Sequence, residues 1–247
     1  MNERQPLRPA YSSPIRPTTD DQRPTTPLLY YITDRRQLAP ADPQSDERLE
    51  IRILHAARAG IDYIQLREKD LSGRALEELA CEAMAAIEEA RRDASSHTRL
   101  LINGRVDVAI ACGAAGVHLP SENALSPDDA RVAFEKAGIR SPVIAVSCHT
   151  ADDVARAASR GADFAVFGPV FGKGPDARDE RVEPTGIDQL RRACAASLGM
   201  PVFALGALTV KNAAECLRAG ARGIAGIRLF QQGDVATTIE ELRQTKP

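Results

Sequence analysis

Short apolar runs alternate with stretches of helical apolar spacing along most of the chain, and each run stops abruptly at polar residues. The first run, positions 28–33, is Leu-Leu-Tyr-Tyr-Ile-Thr and ends at Asp34. A polar, proline-containing loop follows, and positions 49–59 then carry helical spacing up to Gly60, a natural C-cap. Further strands are predicted at 63–66, 100–102, 116–119, 143–146, 164–167, 202–205 and 224–227. Between them fall a long helix over 72–94, with Leu76, Leu79, Ala80, Met84 and Ile87 on one face, and a short one from Val106 to Gly113. Later helices open at Ser126, as N-cap with Pro127 in the first position, and at Thr150; others cover 186–197, Thr209 to Gly220, and 235–243.

Eight strands alternating with helices, each strand continuous in apolar residues, is the pattern of parallel strands covered on both faces. A weak internal repeat agrees: Ala-Gly-Ile-Asp at 59–62, Cys-Gly-Ala-Ala at 112–115, Arg-Gly-Ala-Asp at 160–163 and Ala-Gly-Ala-Arg at 219–222 each join a helix to a strand. Eight βα units in this length predict an α/β fold, a single (β/α)8 TIM barrel, over an open doubly wound sheet. No Gly-x-Gly-x-x-Gly follows the first strand, which speaks further against a dinucleotide fold.

Composition refines this. Positions 1–27 are rich in Pro, Thr, Gln and Arg and almost lack large apolar groups, so they read as a disordered N-terminal extension ahead of a barrel over 28–247. A formal charge of −2 gives no electrostatic reason to expect a nucleic-acid or membrane partner. No apolar run approaches a membrane span, and no signal-peptide pattern follows the N-terminus. The five cysteines are scattered without metal-ligand spacing, as suits reduced thiols in a cytoplasmic protein.

In such a barrel the chemistry lies where the strands end. The most informative end is Tyr63-Ile64-Gln65-Leu66-Arg67-Glu68-Lys69-Asp70. Gln65, Arg67 and Lys69 alternate, so if the extended backbone continues they point the same way, and an amide with two cations suits a phosphate or pyrophosphate. The competing reading is an ordinary charged turn into the next helix. Other polar strand ends are Thr33 and Asp34, Asn103, Ser121 and Glu122, Ser147 and His149, and Lys173 in the Gly/Pro-rich stretch 168–185. Gly206-Ala207-Leu208-Thr209 and Gly226-Ile227-Arg228, after the last two strands, fit backbone phosphate turns; they would equally serve as helix entries.

Six motifs in order resemble the thiamine phosphate synthase and thiazole tautomerase (TenI-like) family: Tyr31-Ile32-Thr33-Asp34, Gln65-Leu66-Arg67-Glu68-Lys69, Asn103 to Ala109, Gly116-Val117-His118-Leu119, Gly168-Pro169-Val170-Phe171 and Gly206-Ala207-Leu208-Thr209. The resemblance spans about 28–245. It implies thiamine biosynthesis: a transferase joining an aminopyrimidine methyl pyrophosphate to a thiazole phosphate, with Mg2+ on the pyrophosphate. By resemblance Gln65, Arg67, Lys69, Asn103 and Ser147 contact the pyrophosphate, with Arg67, Lys69 and Ser147 acting on the leaving group. Lys173 adds a further basic residue. Gly206, Gly226 and Ile227, with Arg228 beside them, hold the thiazole phosphate. Homo-oligomers are an expectation by analogy.

Two departures from the synthase pattern stand out. Asn103-Gly104 replaces an Asn-Asp, and Ser121-Glu122-Asn123 replaces a Gln-Glu-Asp, so both expected metal-binding aspartates are gone and Glu122 is the candidate ligand left. The tautomerase branch is similar at both places and needs no metal, but its base after the sixth strand is Pro169 here; His149 or His118 would have to serve, though each is more often a structural residue. A non-catalytic binder of thiamine or thiazole phosphate is the third reading.

Overall fold

The computed structural model describes residues 26–38, 45–94, 96–121, 125–172 and 183–247. Each predicted apolar run forms a strand: β1 (Leu28–Ile32), β2 (Tyr63–Leu66), β3 (Arg99–Asn103), β4 (Gly116–Leu119), β5 (Val143–Cys148), β6 (Phe164–Phe167), β7 (Val202–Ala204) and β8 (Gly223–Gly226). They pair in chain order, all parallel, and β8 returns to β1 through Leu28–Gly223 to Tyr31–Gly226, closing the ring. Closure leaves no strand edge exposed. The expected (β/α)8 barrel is the fold.

The helices are α1 (Arg35–Leu38), α2 (Ser45–Arg58), α3 (Gly73–Ala94), α4 (Val106–Ala111), α5 (Pro127–Lys136), α6 (Ala151–Ser159), α7 (Gly186–Ala195), α8 (Val210–Arg218), α9 (Arg228–Gln231) and α10 (Val235–Gln244). Local chemistry sets their ends. Ser126 with Asp129, Thr150 with Asp153 and Thr209 with Asn212 each form a reciprocal capping box. The repeated glycines 60, 113, 161 and 220 all take positive φ (82°, 72°, 75° and 105°), the left-handed C-terminal stop that the repeat encodes.

Strand residues alternate between two cores. Outward side chains such as Leu29, Ile64, Ile102 and Phe167 pack under the helices. Inward ones, including Tyr30, Tyr63, Leu101, Phe164 and Phe203, fill the barrel. Along α3 the buried line is Leu76, Leu79, Ala80, Ala83, Ile87 and Ala90, so Ala83 takes the place expected of Met84, which is half-buried beside it.

Three differences from expectation bear on the site. The polar loop after β1 contains α1, and a second four-residue helix, α9, follows β8. β5 continues through Ser147 and Cys148, which places Ser147 on the barrel wall instead of in a loop. At the opposite face the chain is described from Thr26; the carbonyls of Thr26 and Pro27 accept from Arg222 and Arg243. Positions 1–25 of the predicted extension lie outside the described residues. No described helix is long and apolar enough to cross a membrane.

Candidate active site at the barrel mouth

Aromatic rings make the floor. Tyr30, Tyr63, Phe164 and Phe203 interlock inside the barrel, with centroids from 4.7 Å (Phe164–Phe203) to 6.1 Å (Tyr63–Phe203). One step further along the strands the inward positions turn polar: Gln65 on β2, Asn103 on β3, His118 on β4 and Ser147 on β5. The amide of Gln65 donates from Nε2 to Asn103 Oδ1 at 3.0 Å. His118 bridges floor and mouth, its Nδ1 3.1 Å from Tyr30 Oη and its Nε2 2.7 Å from Ser147 Oγ. Four neighbouring strands thus supply one polar layer, hydrogen-bonded as the pairs Gln65–Asn103 and His118–Ser147.

Charge is sorted across this layer. Arg67 follows Gln65 at an inward position, with its backbone N–H donating to Thr33 Oγ1 at 3.0 Å. Glu68 turns the other way: it accepts from Thr33 Oγ1 at 2.6 Å, from the Arg35 backbone at 3.1 Å and from the Arg35 guanidinium at 3.2 Å. Arg35 also grips Asp70 through two bonds, at 2.8 and 2.6 Å, and Arg36 lies 3.0 Å from the same carboxylate. Burial pushes the Glu68 carboxyl up against these bonds, whereas the Arg35 hydrogen bonds hold Asp70 below its ordinary value. Among the described residues no carboxylate pairs with Arg67 or Lys69. The two acids of this segment are withdrawn to Arg35 and Arg36.

The strand, however, stops at Leu66, and Lys69 lies in an exposed turn closed by Leu71 N–H to the Glu68 carbonyl. The extended alternation therefore holds for Gln65 and Arg67 and breaks before Lys69. Charged neighbours in a row favour a solvated turn over continued pairing.

After β7, Gly206 takes φ +116° and Ala207 φ +44°. A Cβ on Gly206 would sit 2.6 Å from Pro169 Cα and 2.8 Å from Val170 N, so the turn requires both the absent side chain and the left-handed backbone. Asn212 ties this turn down from inside α8, donating to the Ala207 carbonyl at 3.2 Å. Among the described residues no backbone carbonyl takes the N–H groups of Ala207, Leu208 or Ile227. These groups lie on the adjacent turns after β7 and β8, where exposed Arg228 opens α9.

Glu122 and Lys173 lie outside the described residues. What remains at the ends of β3 and β4 does not make a divalent-cation site. Among the described residues Asn103 brings one neutral amide oxygen, which also accepts from Gln65, Gly104 brings no side chain, and Ser121 brings a neutral hydroxyl, so no carboxylate is offered. Among the described residues there is no cluster of three metal-ligating groups. Neither histidine presents a spare nitrogen: exposed His149 bonds the Gly168 carbonyl at 2.6 Å and Ser121 Oγ at 3.1 Å, and His118 is engaged as above. Sequence reasoning missed Arg35 and the Tyr30–His118 contact, which join residues 33 and 88 positions apart.

Burial, and then the Arg67 charge, push His118 from 6.5 down to about 3. The folded value lies below the unfolded one, so the unfolded chain takes up this proton first as pH falls. The stability this group contributes is complete above about pH 6.5 and is lost progressively toward about pH 3. Urea midpoints measured at about pH 7 and about pH 4.5 are therefore expected to differ less in His118→Gln than in the native chain.

The fold and the mouth define a class: a (β/α)8 enzyme barrel whose polar layer sits at the strand ends. Residues 29–230 match the family model described as thiamine monophosphate synthase, and the chain belongs to that family, transferases of thiamine biosynthesis. It is 43% identical over 197 residues to a putative thiamine-phosphate synthase of Geobacter sulfurreducens, covering 80% of this chain and 83% of that one. The thiamine-phosphate synthase of Roseiflexus castenholzii is 37% identical over 201 residues, covering 81% and 79%. A solved thiamine phosphate pyrophosphorylase from Pyrococcus furiosus superposes with TM-score 0.68 at 31% identity, covering 90% of this chain and 96% of that one.

Proposed function

We propose that the barrel couples an aminopyrimidine methyl pyrophosphate to a thiazole phosphate, forming thiamine phosphate and releasing pyrophosphate. The carrying observation is the sign of the mouth: Arg67 and Lys69 lack carboxylate partners among the described residues because Arg35 and Arg36 hold Glu68 and Asp70. An anion with several oxygens completes such a layer.

In this reading the C–O bond to pyrophosphate breaks with its electron pair leaving on oxygen, and the thiazole nitrogen's lone pair forms the new C–N bond. Arg67 and Lys69 supply positive charge to the leaving oxygens. The Asn103 amide nitrogen supplies donors, since Gln65 occupies its oxygen, and the Ser147 hydroxyl adds another. Catalysis is charge stabilisation and positioning. Gly206, Gly226 and Ile227, with Arg228 nearby, would receive the thiazole phosphate through backbone N–H groups. For the Mg2+ that the family resemblance implies, the described residues at the ends of β3 and β4 bring no carboxylate, and Glu122 lies outside the described residues; Arg67 and Lys69 would supply their charge beside it.

Pyrophosphate is then expected to inhibit competitively against the pyrimidine substrate and not against the thiazole phosphate. Arg35→Ala, which frees two carboxylates to pair with Arg67 and Lys69, is expected to weaken that inhibition about tenfold and to lower turnover with it, since the same cations stabilise the leaving group. Competition with the thiazole phosphate, or unchanged inhibition in Arg35→Ala, would contradict the arrangement.

A further inference from the structure

We propose that Tyr30 and His118 form a directional hydrogen-bond relay that forces the Ser147 hydroxyl to act as a donor into the barrel mouth, making His118 a positioning residue that works through Ser147. The direction follows from where the protons can go. Tyr30 is fully buried, and among the described residues its hydroxyl has one partner, His118 Nδ1 at 3.1 Å. Burial pushes its ionisation upward, so it stays a phenol with a proton to place. Among the described residues that proton has no acceptor except Nδ1, so Nδ1 must be the bare nitrogen.

A neutral imidazole with a bare Nδ1 carries its hydrogen on Nε2, which therefore donates to Ser147 Oγ across 2.7 Å. The reverse tautomer would aim Nδ1–H and the phenol proton at each other's atoms and orphan one of them. The doubly protonated ring would orphan the phenol proton as well and place a second cation near Arg67, whose charge already depresses His118. With an Oγ lone pair filled by Nε2–H, Ser147 cannot give its proton back to the histidine. Among the described residues it has no other partner, so its O–H is left for a ligand oxygen.

Ser147 beside a histidine at 2.7 Å has the spacing of a nucleophile and its base, but the relay runs the opposite way. The histidine gives a proton-sharing contact to the serine, and the serine is a fixed donor, not an attacking oxygen. This suits an oxyanion leaving group and rests, for its catalytic consequence only, on the coupling reaction proposed above.

The test has two arms. Long-range 15N NMR of the full chain is expected to show His118 with an unprotonated Nδ1 and a protonated Nε2 from about pH 5 to about pH 8. In Tyr30→Phe the Nδ1 resonance is expected to move toward the averaged position of mixed tautomers. A protonated Nδ1 in the native chain, or no change in Tyr30→Phe, overturns the relay whatever the enzyme does.

The kinetic arm compares two amides. His118→Gln can place its Nε2 donor near the imidazole Nε2 and is expected to hold kcat within about threefold of native, whereas His118→Asn is too short to reach Ser147 and should lose about 10²-fold, like Ser147→Ala. Equal losses in both amide variants, with folding intact by circular dichroism, would overturn the positioning role. A native chain without coupling activity that still shows the Nε2–H tautomer would refute the proposed reaction and leave the relay standing.

Discussion

Arg67→Ala is expected to lower thiamine phosphate formation by about 10²–10³-fold while shifting the melting temperature by no more than about 2 °C. The two halves have separate causes. On the activity side, Arg67 is the guanidinium at an inward position of the mouth, and its backbone N–H is anchored to Thr33 Oγ1. Charge developing on a departing pyrophosphate meets a cation there, which is the kind of interaction whose removal is felt in kcat. On the stability side, Arg67 has no carboxylate partner among the described residues, so truncation orphans no buried anion. Lysine at this position keeps the charge and loses the two-pronged geometry, and an intermediate loss is expected. A thermal melt alongside steady-state rates checks both halves; a large drop in stability would mean that Arg67 is a structural residue.

The second large effect is on the floor. Phe164→Ala is expected to cost about 3–5 kcal/mol, or a melting-temperature fall of about 10 °C. Phe164 is 2% exposed and touches three rings, with centroids 4.7 Å from Phe203, 5.0 Å from Tyr63 and 5.3 Å from Tyr30. Nothing in a closed barrel can move into the void without shifting a paired strand. Because Tyr30 loses packing and also carries His118, activity should fall beyond what the unfolded fraction explains. Differential scanning calorimetry and rates at a temperature well below the transition separate the two losses.

The barrel was legible because its determinants are local. A parallel strand buried on both faces is a short apolar run, and Ser126, Thr150 and Thr209 mark helix starts with side chains that close on residues three positions later. The four repeated glycines mark helix stops through a backbone conformation that glycine adopts without strain. The short helices α1 and α9 were not legible: four residues carry no amphipathic period. Distant contacts surround them, such as Arg35 to Glu68, Gln231 Nε2 to the Asp34 carbonyl and Arg52 to the Gln231 carbonyl. Ser147 shows the same limit within a strand, where a polar inward residue at the barrel mouth resembles the start of a loop.

Site residues divide along the same line. Gln65 and Arg67 follow from strand alternation, which survives as far as the backbone stays extended. Lys69 does not, because the turn after Leu66 resets the direction of every side chain beyond it. The withdrawal of Glu68 and Asp70 by Arg35 had no sequence signal, yet it determines that a segment of mixed charge presents only cations. Parity along β1 is likewise invisible locally: of two adjacent tyrosines, Tyr30 enters the barrel and meets His118, while Tyr31 faces the helices near Phe230.

A single reaction of the native chain with aminopyrimidine methyl pyrophosphate and thiazole phosphate, run with Mg2+ and again after chelation, decides whether the barrel is a synthase when thiamine phosphate and pyrophosphate are quantified together. The two products are expected in equal amounts in the Mg2+ reaction, and about 10²–10³-fold less of both in Arg67→Ala over the same interval. No thiamine phosphate at high enzyme, with or without Mg2+, would contradict it, and isomerisation of a thiazole carboxylate phosphate by the same preparation would assign the barrel to the tautomerase reaction instead.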